Sequence, residues 1–149
     1  MREIKANIFD MVVETIVITT NGIVKRNGEA VMGAGIALEM AKKYPLFPKV
    51  FGDKLKKDGN HVSMFFVPQV KGRKVITFPV KNHFKEKASL ELIEQSCKEI
   101  VILADKFELT QIALPRPGCG VGGLKWKDVE PILEKHFDQR FFIVDKKDK

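Results

Sequence analysis

Four short segments of the 149-residue chain carry residue types and spacings that could do chemistry. The first is Val31-Met-Gly-Ala-Gly-Ile-Ala37, glycines that open a helix. A helix N-terminus offers free N–H groups and the positive end of a dipole, and glycine lets a phosphate approach the backbone closely. The spacing matches neither the Walker phosphate loop nor GxGxxG, and such a turn serves structure as readily as binding. The second is Gly118-Cys-Gly-Val-Gly-Gly123, between a strand and a helix. Four glycines in six residues cost chain entropy on folding, and backbone amides turned toward an anion would justify that cost. Two glycine loops at two strand exits suit a ligand with two phosphates.

The third segment is Phe78-Pro-Val-Lys-Asn-His-Phe84. Lys81, just past a strand end, is either a surface lysine or an amine nucleophile toward a carbonyl-like carbon. His83 is either a general acid or base or a ring that caps its own loop. The fourth is Asn21, at the end of a buried strand and followed by Gly22. Its amide can orient a hydroxyl or a water. Asn-Gly is also an ordinary turn pair, and the two roles are compatible. Cys119 reads as a small filler more than as a nucleophile, because no activating partner is evident. The histidines at 61, 83 and 136 are far apart and Cys97 and Cys119 are unpaired, so no metal site is expected. No cofactor is implied.

The elements that must position these segments follow from periodicity. Strands are expected at 2–8, 15–19, 62–67, 74–78, 111–114 and 140–144, and helices at 35–43, 47–57, 89–107 and 128–137. Ile16-Val-Ile18 is a short β-branched run suited to a strand buried on both faces. A turn at Lys71-Gly72 separates the third and fourth strands. In the long helix, Leu90, Ile93, Cys97, Ile100 or Val101, Ala104 and Phe107 recur at steps of three and four as one buried stripe, with Ser89 as N-cap. Pro131 is expected in the first turn of its helix, where proline is tolerated. Strands alternating with helices imply a layered α/β domain with a mixed, largely parallel sheet, whose ligands sit outside the carboxyl ends of the strands.

Composition bounds the rest. A hydrophobic fraction of 44% supports a sizeable core and excludes a disordered chain. No apolar run reaches the roughly 18 residues of a membrane span, and the N-terminus lacks the apolar stretch of a signal peptide. The expectation is a cytoplasmic, monomeric, single domain spanning 1–149, away from membranes. The net charge of +7 favours an anionic partner such as a nucleotide and leaves room for weak nucleic-acid contact, although runs such as Lys54-Leu-Lys-Lys57 also suit a solvated face.

Taken in order, Ile18-Thr-Thr-Asn-Gly22, Met32-Gly-Ala-Gly-Ile-Ala37, Phe78-Pro-Val-Lys-Asn-His83 and Leu114-Pro-Arg-Pro-Gly-Cys-Gly-Val-Gly-Gly-Leu-Lys-Trp126 resemble a macrodomain over about residues 2–144. The resemblance is closest to the branch holding bacterial DNA ADP-ribosyl glycohydrolase antitoxins and the terminal ADP-ribose protein glycohydrolase. It implies a three-layer α/β/α fold that binds ADP-ribose or an ADP-ribosylated substrate. It places Asn7 and Ile8 at the adenine and Asn21 at the distal ribose. Gly33, Ala34, Gly35 and Ile36 form a first loop around ribose and phosphates. Gly118, Cys119, Gly120, Val121, Gly122, Gly123 and Leu124 form a second loop on the diphosphate. Lys81 matches the lysine that attacks C1'' of the distal ribose and forms a transient imine. Three departures stand out. Gly122 falls where some members carry an acid paired with the lysine, Val80 and Phe84 replace a common Thr and Trp, and residues 23–31 are longer than in the antitoxins. The resemblance leaves three activities open: removal of ADP-ribose from nucleic acid or protein, an ADP-ribose 1''-phosphate phosphatase, and binding without turnover.

Overall fold

The computed structural model describes residues 1–70 and 72–146. Six strands are present among them: β1 (Arg2–Ala6), β2 (Thr15–Thr20), β3 (Ser63–Phe66), β4 (Lys74–Pro79), β5 (Ile112–Pro115) and β6 (Phe141–Lys146). Four α-helices accompany them: α1 (Gly35–Lys43), α2 (Phe47–Asp58), α3 (Leu90–Lys106) and α4 (Trp126–His136). The strand order is β1-β6-β5-β2-β4-β3, and every pairing is parallel except that of β3 with β4. The mixed, largely parallel sheet expected from the alternation is therefore the observed one.

Two cores, one on each face of the sheet, make the three layers. Along β2 the side chains alternate: Val17 packs with α3 and α4, whereas Ile16 and Ile18 pack with α1 and α2. All three are fully buried, as the unbroken apolar run predicts. On the first face Ile93, Cys97, Ile100 and Ala104 of α3 form the buried stripe. The stripe is shorter than its periodicity suggests, because Leu90 and Phe107 lie at the overhanging ends and are 39% and 49% exposed. On the second face Phe47 and Phe51 of α2 meet Phe65 edge-on, with ring centroids 5.1 and 6.1 Å away.

Helix ends follow their local chemistry where a cap is present. The Ser89 hydroxyl accepts from the Leu92 amide at 3.2 Å and fixes the start of α3. α4 begins at Trp126 without a side-chain cap, two residues before the expected start. Pro131 consequently sits inside the helix rather than in its first turn, where its missing N–H leaves one backbone carbonyl without its helical donor. β1 also ends early, at Ala6. The Asn7 side chain accepts from the Phe9 amide and starts a short 3-10 turn over Ile8–Asp10. The turn expected at Lys71-Gly72 falls partly outside the described residues.

One carboxylate ties the antiparallel edge to α3. Glu99 accepts from the Val62 amide at 2.8 Å and from the Gln95 amide at 2.9 Å, and the His61 ring lies 3.0 Å away. Burial alone would raise its pKa, but the donors from Gln95, His61 and the Val62 backbone outweigh it and hold the carboxyl below the ordinary glutamate range. The stabilisation is present at neutral pH and is lost as pH falls through that lowered value. Glu99→Gln should therefore lower stability at pH 7 by about 1 kcal/mol. The gap between variant and wild type in thermal denaturation should close below the ordinary carboxylate range, and a gap unchanged at pH 3 would refute the assignment.

Candidate functional site

The five parallel strands deliver their carboxyl ends to one edge of the sheet, and a cleft of about 450 Å³ lies there. Ala6, Thr20, Val80, Pro115 and Lys146 line it from the ends of β1, β2, β4, β5 and β6. Its volume falls in the range of small-molecule sites.

Both glycine segments reach this cleft. Gly33, Ala34, Gly35 and Ile36 line it at the start of α1, where Ala34 supplies no side-chain cap to the first helical amides. Gly118, Gly120, Val121 and Gly122 line it from the loop after β5. The loops touch: the methyl of Val121 lies 3.8 Å from where a Cβ of Gly35 would stand. The second loop is folded back on itself, with the Leu124 amide donating to the Gly118 carbonyl at 2.9 Å and the Ala88 amide donating to that of Gly122 at 2.9 Å. That tightness demands glycine at two places. Gly118 has a φ of 73°, and a Cβ at Gly122 would lie 2.6 Å from the Gly118 carbonyl oxygen and 2.8 Å from the Ala88 methyl. Gly120, by contrast, faces open space.

Asn21 and Lys81 leave neighbouring strands side by side. The Asn21 side chain accepts from the Ile23 amide at 3.0 Å and donates to the Val31 carbonyl at 3.1 Å, so it shapes the turn while lining the cleft. The Lys81 ammonium donates to the Phe84 carbonyl at 3.3 Å. Asn60 braces this end: its amide donates to the Lys81 carbonyl at 3.2 Å and to the Asn82 side chain at 2.9 Å. Asn7 and Ile8 line the opposite part of the sheet edge, next to Ala6 at the end of β1.

Four expected residues lie off the cleft lining. Cys119 and Leu124 turn inward onto the α3–α4 core, and Gly123 faces the Lys87 side chain. The alternation is steric, since a loop this tight cannot present every residue to one side. His83 turns to its own loop, with Nδ1 accepting from the Lys85 amide at 3.1 Å and the ring stacked on Phe84 at 4.4 Å. Burial pushes the Cys119 thiol above the ordinary cysteine range despite the nearby Arg116 charge, which agrees with a filler and not a nucleophile. Burial takes Cys97 further, to about 12.

Several cleft residues were not among the expected ones. Thr20 is buried with a hydroxyl that has no hydrogen-bond partner among the described residues. Glu39 follows Gly35 by four positions and so shares its face of α1, a spacing readable in the sequence. Lys146 lies beyond the expected end of β6. Arg116 lies over the Trp126 ring at 4.9 Å, reaches Glu3 and Asp145 at 3.4 and 3.7 Å, and keeps a buried Nε without an acceptor among the described residues. Among the described lining residues Glu39 is the one carboxylate beside Lys81, Arg116 and Lys146; Lys146 lies 3.9 Å from it and Arg116 is shared with Glu3 and Asp145, so Lys81 is the lining cation without a carboxylate partner among the described residues.

Fold and site together define a three-layer α/β protein with a cleft, rimmed by two glycine loops, at the carboxyl edge of its sheet. The chain belongs to the Macro domain family, whose model matches residues 25–133. It is 27% identical over 139 residues to the DNA ADP-ribosyl glycohydrolase of Thermus aquaticus, covering 91% of this chain and 37% of that protein. It is 28% identical over 107 residues to the human ADP-ribose glycohydrolase OARD1, covering 72% of this chain and 67% of that protein. The solved macrodomain of Mycobacterium tuberculosis DarG is similar at a TM-score of 0.83 and 25% identity, over 99% of this chain and 97% of that one. The chain spans little more than a third of the length of the Thermus aquaticus glycohydrolase. Among the described residues, no helix is long and apolar enough to cross a membrane.

The close contacts at Gly122 have a measurable consequence. Gly122→Asp, which would place an acid in the second loop, should lose about 1–3 kcal/mol of stability through overpacking. Urea denaturation checks this, and a variant as stable as wild type would show that the loop has room for a side chain there.

Proposed function

We propose that the cleft binds ADP-ribose and that the protein is a glycohydrolase removing ADP-ribose from a modified nucleic acid or protein, with Lys81 as nucleophile. One observation carries the reading: Lys81 and residues of both glycine loops line one cleft. The relatives' activity as ADP-ribosyl or ADP-ribose glycohydrolases points the same way. In this reading the diphosphate lies between residues 33–36 and 118–122, on backbone amides that need no side-chain partner. The adenine end rests against Asn7 and Ile8, and the distal ribose reaches Asn21 and Lys81.

The Lys81 amine, its ammonium proton passed to water, attacks C1'' as the C1''–O4'' ring bond breaks and the ring oxygen takes a proton. The bond from C1'' to the modified group then breaks, that group leaving with a proton, and a C=N bond forms to Lys81; water adds to the imine, the C–N bond breaks to restore the amine, and the ADP-ribose ring recloses as it leaves. Splitting the displacement in two is the ordinary gain of a covalent route. A binding module without turnover is the second reading, and a specific feature favours it: Gly122 leaves the second loop without an acid to pair with Lys81, and Glu39 is the one carboxylate among the described lining residues.

Free ADP-ribose should bind one-to-one in the micromolar range, about −8 kcal/mol by calorimetry. Gly120→Glu should fold, since its position is open, and lose that binding because its carboxylate enters the phosphate seat. Lys81→Ala should lose turnover by orders of magnitude while its ADP-ribose affinity stays within about tenfold, or ~1.4 kcal/mol. The assay offers ADP-ribosylated DNA, an ADP-ribosylated glutamate peptide and ADP-ribose 1''-phosphate side by side. Undiminished turnover by Lys81→Ala would mean that water is the nucleophile. No turnover by wild type on any of the three would leave the binding module as the better reading.

A further inference from the structure

Asn60 stands in the short turn between α2 and β3, off the cleft lining, yet its side-chain amide donates twice into the segment that carries Lys81. The Nδ2 group reaches the Lys81 carbonyl at 3.2 Å and the Asn82 side chain at 2.9 Å. The Asn82 backbone carbonyl in turn accepts from the Gly22 amide at 3.0 Å. Asn60 also lies against Gly22 itself: a Cβ on that glycine would stand 2.8 Å from Asn60 Cγ and 2.9 Å from its Nδ2. The φ of Gly22 is not positive, so glycine is needed there for the approach of Asn60 and not for the backbone. One side chain therefore meets the exits of both β2 and β4.

The turn that presents Asn60 is fixed on both sides. The Gly59 amide closes α2 by donating to the Leu55 carbonyl at 2.9 Å. The two residues that follow Asn60 are both held by Glu99 of α3, His61 through its ring and Val62 through its amide. The Asn60 Oδ1, by contrast, is buried with no hydrogen-bond partner among the described residues. A buried acceptor left unpaired costs stability, so what the amide gives in return lies with its donors, and both go to residues 81 and 82.

We propose that Asn60 is a positioning residue: with Gly22 it forms a clamp that locks the exits of β2 and β4 together and sets the reach of the Lys81 amine toward the sugar carbon in the cleft. Asn21 does not serve this end, because its amide is spent on Ile23 and Val31 around its own turn. The Phe84 carbonyl holds the amine but belongs to the same loop and moves with it. Asn60 acts from a third segment, which gives the lysine a fixed reference outside its own loop. This inference rests on the reading of Lys81 as the nucleophile and adds to it the residue that aims the amine.

The test reads that reach with free ADP-ribose as the probe, so that no modified substrate is needed. The distal ribose opens to an aldehyde, the Lys81 amine adds to that carbon, water leaves as the imine forms, and added cyanoborohydride delivers hydride to fix a secondary amine. Mass spectrometry at saturating ADP-ribose gives the rate of modification at Lys81, and calorimetry gives the affinity. Asn60→Ala and Gly22→Ala should each slow that modification by about a hundredfold, the effect of displacing a nucleophile by about 1 Å. Their affinity for ADP-ribose should stay within about twofold of wild type. Asn60→Asp keeps the shape, has no donor when ionised, and should be as slow; it also serves if the alanine variant does not fold. The double variant Asn60→Ala with Gly22→Ala should lose no more than either alone, since one clamp is broken in both. If wild-type Lys81 is modified no faster than surface lysines, the reading of Lys81 falls and the clamp with it. If Lys81 is modified selectively and the single variants keep the wild-type rate, the clamp alone is overturned. Losses that add in the double variant, or a fall in affinity equal to the fall in rate, would make Asn60 a general support of the fold and would equally reject it as a positioning residue.

Discussion

The parallel pairing of β2 with β4 is the constraint on which the cleft depends. Thr20 stands opposite Pro79, so the residues that follow, Asn21 and Val80-Lys81, leave the sheet together. The ladder continues past the strands, with the Val80 amide donating to the Thr20 carbonyl and the Gly22 amide to the Asn82 carbonyl, both at 3.0 Å. A slip of one residue would exchange Ile16 and Ile18 with Val17 across the two cores, and every apolar side chain of β2 would face the wrong layer. Burial on both faces therefore fixes the register, and the register fixes the distance from Asn21 to Lys81. β5 pairs with the other edge of β2 and brings the second glycine loop to the same side.

What could be read in the sequence was what local chemistry decides. The apolar run of β2, the glycine segment that opens α1, and the Ser89 cap of α3 each carry their signal within a few residues, and each element appears where that signal sits. Boundaries set by distant contacts were not legible. α4 starts at Trp126, whose ring is covered by Arg116 from the loop after β5, and nothing adjacent in sequence announces it. Arg73 is a stronger case. It is a buried guanidinium that donates to the carbonyls of Phe9, Met11 and Val70, a cation satisfied wholly by backbone oxygens from segments about sixty residues apart. No periodicity marks such a residue, because its partners are backbone atoms and carry no side-chain signature.

The site shows the same division at finer grain. All four chemical segments arrive at the cleft, since strand exits are a property of the fold. Which residue within a segment faces the cleft is a matter of loop direction. Gly118, Gly120 and Gly122 face it, whereas Cys119 and Leu124 return to the core and hold the loop down. Asn60, which braces Lys81 from the end of α2, and Arg116, which precedes the glycines, are visible only once the chain is folded.

The group that holds Lys81 also limits what chemistry it can do. The Phe84 carbonyl accepts a hydrogen bond from the ammonium but does not take its proton, and the closed packing at Gly122 keeps a second-loop carboxylate away. His83 does not fill the gap. Its Nδ1 accepts from the Lys85 amide, so the neutral ring carries its proton on Nε2 and has no free basic nitrogen to offer. In the proposed reaction the proton lost by Lys81 therefore passes to water in the open cleft. In that reading positioning falls to the backbone: the carbonyl aims the amine, the β2–β4 register sets its reach, and the glycine loops would hold the diphosphate. A site of that kind would work by placing its nucleophile and its ligand correctly, with no side-chain base beside the amine.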